Sequence, residues 1–108
     1  MRFYKNLYVS ESMTKKKEKV IAKLTIKKYP LNTYVIALIE EGENQLEFYS
    51  TLMFRQRSVI DDGIFAVGLA SGYDDALYLV EEIAKEVYEE TGDLDIRSYI
   101  RKQERKEE

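Results

Sequence analysis

Ile64-Phe65-Ala66-Val67-Gly68-Leu69-Ala70-Ser71-Gly72-Tyr73-Asp74-Asp75-Ala76-Leu77 is the stretch on which the fold turns. Its first seven residues read as a strand, opened by the turn signal Asp61-Asp62-Gly63. One alternating face is large (Phe65, Val67, Leu69). The other becomes small after Ile64 (Ala66, Gly68, Ala70), which marks close approach by another element. Ser71-Gly72 then leads into a helix with Asp74 and Asp75 in its first turn, where the helix dipole favours carboxylates. Tyr73, Ala76, Leu77, Val80, Ile83, Ala84, Val87 and Tyr88 recur at helical spacing as one apolar stripe. The helix should pack on the sheet through that stripe and stop at Gly92, with Tyr78 on its exposed side. Val80→Ala is expected to cost about 1–3 kcal/mol.

Upstream, Thr33-Tyr34-Val35-Ile36-Ala37-Leu38-Ile39 is rich in β-branched and aromatic residues and apolar on both alternating faces, so it reads as a strand covered on both sides. Glu41-Gly42-Glu43-Asn44 is a loop of hairpin length, and the next strand begins at Gln45, with Leu46, Phe48 and Leu52 on its drier face. A connection this short requires antiparallel pairing. Met53 to Ile60 is readable as strand, helical turn or loop. Ser10 and Ser12 are candidate caps for a first helix over roughly 11–27, with Met13, Val20, Ile21 and Leu24 on one face, ending before Pro30. The alternative that Leu24-Thr25-Ile26 is a strand stays open. Past Gly92, Asp95 is placed to cap a short helix carrying Ile96, Tyr99 and Ile100, and the polar tail from Arg101 to Glu108 is expected to fray.

These elements predict an α+β fold: a helix, a three-stranded antiparallel sheet, a second helix (αβββα) and a short C-terminal helix. The 108 residues form a single domain over 1–100 followed by a tail over 101–108. Cysteine and histidine are both absent. Disulfides, thiol nucleophiles, zinc–thiolate sites, imidazole bases and imidazole ligands are thereby excluded. Without a long apolar run, the expectation is a cytoplasmic protein with no membrane partner.

The net charge of −3 conceals an asymmetry. Residues 1–30 hold nine Lys or Arg against two Glu, and residues 31–108 hold eight against eighteen Asp or Glu. A basic surface for an anionic partner is one reading, and a basic segment balanced or solvated within an acidic domain is the other, favoured because the remainder would repel nucleic acid.

The order helix, three strands, helix resembles the topology of double-stranded RNA-binding domains over about residues 11–91. In that family lysines at the start of the second helix grip phosphates, whereas here the matching place carries Asp74 and Asp75. The resemblance implies a fold and not that activity. The same order resembles small toxin–antitoxin components, whose catalytic histidine has no counterpart. Val67 to Leu77 and Asp95-Ile96-Arg97-Ser98-Tyr99-Ile100 resemble a family of short uncharacterised bacterial proteins, which implies no activity or ligand.

Gly68 and Gly72 lack the spacing of a phosphate-binding loop and read as a strand-to-helix turn. Asp61 and Asp62 have the chemistry of a hard-cation site without the rest of a coordination shell, and a plain turn is favoured. Arg55 and Arg57, beside Phe54, are the best local candidates for a polar contact site, with internal pairing to Asp61 or Asp62 as the favoured reading. With both helices on one side of the sheet, the other side would present Val35, Ala37, Ile39, Tyr49, Ala66 and Gly68 as an oligomer face. The rival cover for it is the Phe3-Tyr4 segment or the final helix. The function expected is a small non-enzymatic protein-interaction module acting as a homo-oligomer, most simply a homodimer, with no cofactor and no metal. The alternative is a nucleic-acid-associated accessory protein using the lysine face of the first helix.

Overall fold

The strand read from Ile64 onward lies at the middle of the fold. A computed structural model describes residues 1–57 and 59–106. In it β4 (Phe65–Ser71) is inserted between an N-terminal strand β1 (Arg2–Val9) and β2 (Thr33–Leu38), and β3 (Leu46–Ser50) forms the far edge, giving the order β1-β4-β2-β3. β2 pairs antiparallel with both β3 and β4, and β1 pairs parallel with β4. The fold is α+β as expected, but the sheet has four strands and is mixed, not three-stranded and antiparallel. The N-terminal strand escaped the sequence reading because its partner lies some sixty residues away.

A 3₁₀ turn (Glu11–Lys16) runs into α1 (Lys17–Thr25), so residues 24 and 25 are helical and not strand. Ser10 caps differently from expectation. Its hydroxyl caps no backbone N–H of the helix start; it lies 3.4 Å from the Ser12 hydroxyl and accepts the N–H of Ser71, tying the end of β1 to the end of β4. The stretch from Thr51 turns helical at once: α2 (Thr51–Arg55) is capped by the Ser50 hydroxyl, which accepts the Leu52 N–H. α3 (Tyr73–Thr91) ends at Gly92 with φ 80°, the left-handed C′ position. α4 (Ile96–Lys106) is capped by Asp95, whose carboxylate accepts from the Ser98 N–H at 3.1 Å and hydroxyl at 2.7 Å. The described part of the expected tail is therefore helix, held by buried Ile96 and Ile100 and by ion pairs from Arg101 to Glu40 and from Glu104 to Arg2. Glu107 and Glu108 lie outside the described residues. Among the described residues no helix is long and apolar enough to cross a membrane.

The helices lie on both sides of the sheet. α3 and α4 pack with Tyr4, Ile36, Leu38, Phe65, Val67 and Ala70. The 3₁₀ turn, α1 and α2 bring Met13, Val20, Leu24 and Phe54 against Leu7, Val35, Ala66 and Leu69. The expectation of both helices on one face is corrected, and with it the open oligomer face. Val35, Ala37 and Ala66 are buried within the chain, and Gly68 faces α3. Ile39 and Tyr49 are half-buried.

A bulge explains why alternation misassigned β4. Ile36 pairs with Gly68 but Ala37 pairs with Ala66, leaving Val67 unmatched by β2. Phe65 and Val67, then Gly68 and Ala70, consequently share the α3 side, and Ala66 and Leu69 share the other. A Cβ added at Gly68 would lie 3.2 Å from Ile36 Cδ1 and 3.3 Å from Leu79 Cδ2. Gly68→Val should therefore destabilise by about 1–3 kcal/mol. An unchanged denaturation midpoint would show that α3 can move off the strand.

On α3 the buried side chains are Ala76, Leu79, Ile83 and Val87, with Val80 and Ala84 half-buried. Tyr73, Leu77 and Tyr88 are exposed, so the buried stripe is rotated from the expected one to include Leu79. Tyr78 is exposed as expected.

Candidate functional site

The ends of α1 and α2 converge on a groove of about 850 Å³ beside the Asp61 turn. α1 closes in a Schellman arrangement: the Lys28 N–H donates to the Lys23 carbonyl at 2.8 Å and the Lys27 N–H to the Leu24 carbonyl at 3.1 Å. That motif places Lys27 at the C′ position with φ 60°, where glycine is the usual residue. α2 ends similarly. The Arg57 N–H donates to the Phe54 carbonyl, and Arg57 takes φ 59°. A side chain in this left-handed region costs roughly 1–2 kcal/mol. Two cationic residues thus occupy strained positions at two helix C-termini, where the dipole favours positive charge.

The floor is apolar. Tyr29 stacks on Phe54 with centroids 5.4 Å apart, Tyr49 meets Phe54 edge-on at 6.1 Å, and Pro30 and Val59 complete it. Lys23, Lys27, Lys28, Arg55 and Arg57 line it against one carboxylate, Asp61. Asp61 is only 4% exposed. Its oxygens accept from the Lys27 ammonium and the Tyr29 hydroxyl, each at 2.7 Å. Burial alone would raise the Asp61 pKa, but these two bonds outweigh it and hold the carboxyl below its ordinary value. The Tyr29 hydroxyl is pushed up in turn, by burial and by that bond.

Lys27 also reaches Asp62, at 3.4 Å. The two aspartates therefore hold a lysine, and the expected pairing of Arg55 and Arg57 with them is corrected. Among the described residues neither arginine side chain, nor that of Lys23 or Lys28, makes an ion pair or hydrogen bond. No group of three acidic side chains able to hold a metal occurs among the described residues.

The sequence reading found Arg55, Arg57 and Phe54 but missed Lys23, Lys27, Lys28 and Tyr29, which reach the same groove from the other helix. The run Lys27-Lys28-Tyr29-Pro30 carried the signal, since Pro30 stops α1 where cations would collect at its C-terminus.

On the opposite side of the sheet the charge is divided between the two helices: α3 carries seven Asp or Glu against Lys85 alone, and α4 carries five Lys or Arg against Glu104. Comparison with protein-family models, with curated proteins and with solved structures finds no match for this chain.

Proposed function

We propose that this protein is a non-enzymatic interaction module, and that the groove between the ends of α1 and α2 receives an acidic, partly apolar segment of another protein. The observation that carries this reading is Arg57. It sits in a conformation that glycine would adopt at lower cost, its guanidinium pairs with none of the described residues, and it lines an apolar floor. Guanidinium groups bind carboxylates bidentately, and the Tyr29–Phe54 floor suits an apolar side chain beside them. A phosphodiester backbone would use the cations and leave that floor wet.

The test is titration with a short peptide alternating Asp or Glu with Leu or Phe, against its Gln-substituted counterpart and against a single-stranded oligonucleotide. The acidic peptide should shift the amides of residues 54–57 and 27–29. Arg57→Gly should weaken its binding about tenfold while raising stability by about 0.5–1 kcal/mol, because it relieves the left-handed strain. Binding of the oligonucleotide but not the peptide, with retention on heparin beyond about 0.3 M salt, would move the assignment to the lysine face of α1 and to nucleic acid. Equal binding of the Gln-substituted peptide would remove the electrostatic argument.

A further inference from the structure

The sheet has two edges, and they differ. At β1 the pairing with β4 slips: Phe3 sits opposite Ala66 and Tyr8 opposite Gly68, so four residues of β1 pass a single residue of β4. Arg2 and Lys5 are exposed on that strand. Irregularity and basic side chains are the usual devices that stop an edge from pairing with another chain. β3 has neither. Its five residues pair in unbroken register with β2, and its one charged side chain is Glu47.

The backbone groups that β3 leaves free follow from its register. The Ile39 N–H donates to the Gln45 carbonyl, so Gln45, Glu47 and Tyr49 point their backbone groups toward β2. Leu46, Phe48 and Ser50 point theirs outward. Beside this edge lies an aromatic cluster formed with the first residue of α3 and left partly open to solvent. Phe48 meets Tyr73 at 5.5 Å and Tyr34 at 5.9 Å, and Tyr34 meets Tyr73 at 6.1 Å. Tyr73 is 55% exposed and the neighbouring Leu77 41%.

We infer that the free edge of β3 pairs with β3 of a second copy of this chain, antiparallel about a two-fold axis at Phe48. In that register Phe48 faces Phe48, and Leu46 faces Ser50 of the other copy. All three outward-pointing residues then find partners. Glu47, which already accepts the Tyr49 hydroxyl of its own chain at 2.7 Å, faces Tyr49 of the other copy, so no like charges are directly opposed. A two-fold axis perpendicular to the sheet keeps both α3 helices on one side, so the two Phe48–Tyr73 clusters abut and cover each other. The strand matches itself in backbone register, opposes no like charges and sets one open aromatic cluster against another, and this selects a second copy. The Phe48–Tyr73 part of this contact lies on the side of the sheet opposite the groove, and Tyr49, which meets Phe54 beneath the groove, borders both.

Sedimentation and hydrogen exchange on the intact protein test it together. At high micromolar concentration the species should have twice the 12.7 kDa chain mass. The Leu46 and Phe48 amides should exchange at least about tenfold more slowly there than on dilution, while Glu47 and Tyr49, already bonded to β2, stay unchanged. Tyr73→Glu puts a carboxylate at the contact. Its cost within the chain is confined to the ring contacts with Tyr34 and Phe48, because the residue is 55% exposed and lies in the first turn of α3, where acidic residues are favoured. It should raise the dimer dissociation constant about tenfold or more, while at low concentration the chain still unfolds cooperatively with a thermal midpoint lowered only by the lost Tyr34 and Phe48 contacts. A monomer at all concentrations would overturn the inference. So would a dimer that leaves the Leu46 and Phe48 amides fast, or one indifferent to Tyr73→Glu.

Discussion

Ile83→Ala should lower the free energy of unfolding by about 2–5 kcal/mol. Ile83 is 0% exposed, at the centre of the stripe that α3 lays across the sheet among Ile36, Val67, Leu79 and Ile100. Truncation removes three carbons from a site walled by strands below and by α4 beside, so the lining cannot collapse to fill the space. For a domain whose total stability is roughly 5–15 kcal/mol, that is a large fraction. It should appear as a lowered urea midpoint with an unchanged slope. Tyr78→Ala, on the exposed face of the same helix, should stay within about 0.5 kcal/mol of the parent. Similar losses for the two variants would mean that α3 is not seated as described.

Asp61→Ala should cost about 1–3 kcal/mol, because the buried carboxylate links the turn before β4 to the end of α1 through Lys27 and Tyr29. Its titration gives the loss a direction in pH. The folded-state pKa of Asp61 lies below its ordinary value, so the folded protein binds fewer protons than the unfolded chain in the acidic range. The stabilisation is complete above the ordinary carboxylate range and is lost as pH falls through the depressed folded value. Lys27, whose pKa is raised by its bonds to Asp61, works in the opposite sense. Its share is complete below the ordinary lysine range and fades as pH rises through the elevated folded value. The pair therefore contributes a constant amount across neutral pH and falls away at both extremes. Unfolding followed from neutral pH down to about pH 2 should show a shallower acid limb in Asp61→Ala than in the parent. An identical limb would mean that other carboxylates carry the acid sensitivity.

Much of the local structure was legible in the residues. Thr33–Leu38 and Phe65–Ser71 announce themselves by β-branched and apolar content, the 19 residues of α3 by their 3.6-residue stripe, Gly92 by its position after that stripe, and Asp95 by its place before Ile96. Each signal lies within a few residues of what it specifies. β1 was less visible, although Phe3, Tyr4, Leu7, Tyr8 and Val9 are strand formers, because an edge strand paired in parallel needs a partner from the other end of the sheet. α4 was cut short in the reading because residues 101–106 are polar. Their helicity rests on Ile100 beneath and on Glu40 and Arg2 opposite, none of which a helical period reports.

The groove was half legible. Arg55, Arg57 and Phe54 stood out as cations beside an aromatic, but their separation from Lys23, Lys27 and Lys28 by some thirty residues hid the convergence. Which aspartate held which cation depended on reach: Lys27, turned inward by its left-handed backbone, arrives at Asp61 first.

The sequence by itself determined that this is an α+β chain without thiol or imidazole chemistry, with an amphipathic helix after its central strand and with a net positive charge over its first 30 residues. Those properties reside in composition and short-range periodicity. Only the tertiary structure decided which side of the sheet each element covers. One unmatched residue, Val67, shifts the alternation of β4 and sends Leu69 to α1 and Gly68 to α3. A period of two carries side assignment only while register is kept, and register is set by the strands on either side, which meet β4 from tens of residues away.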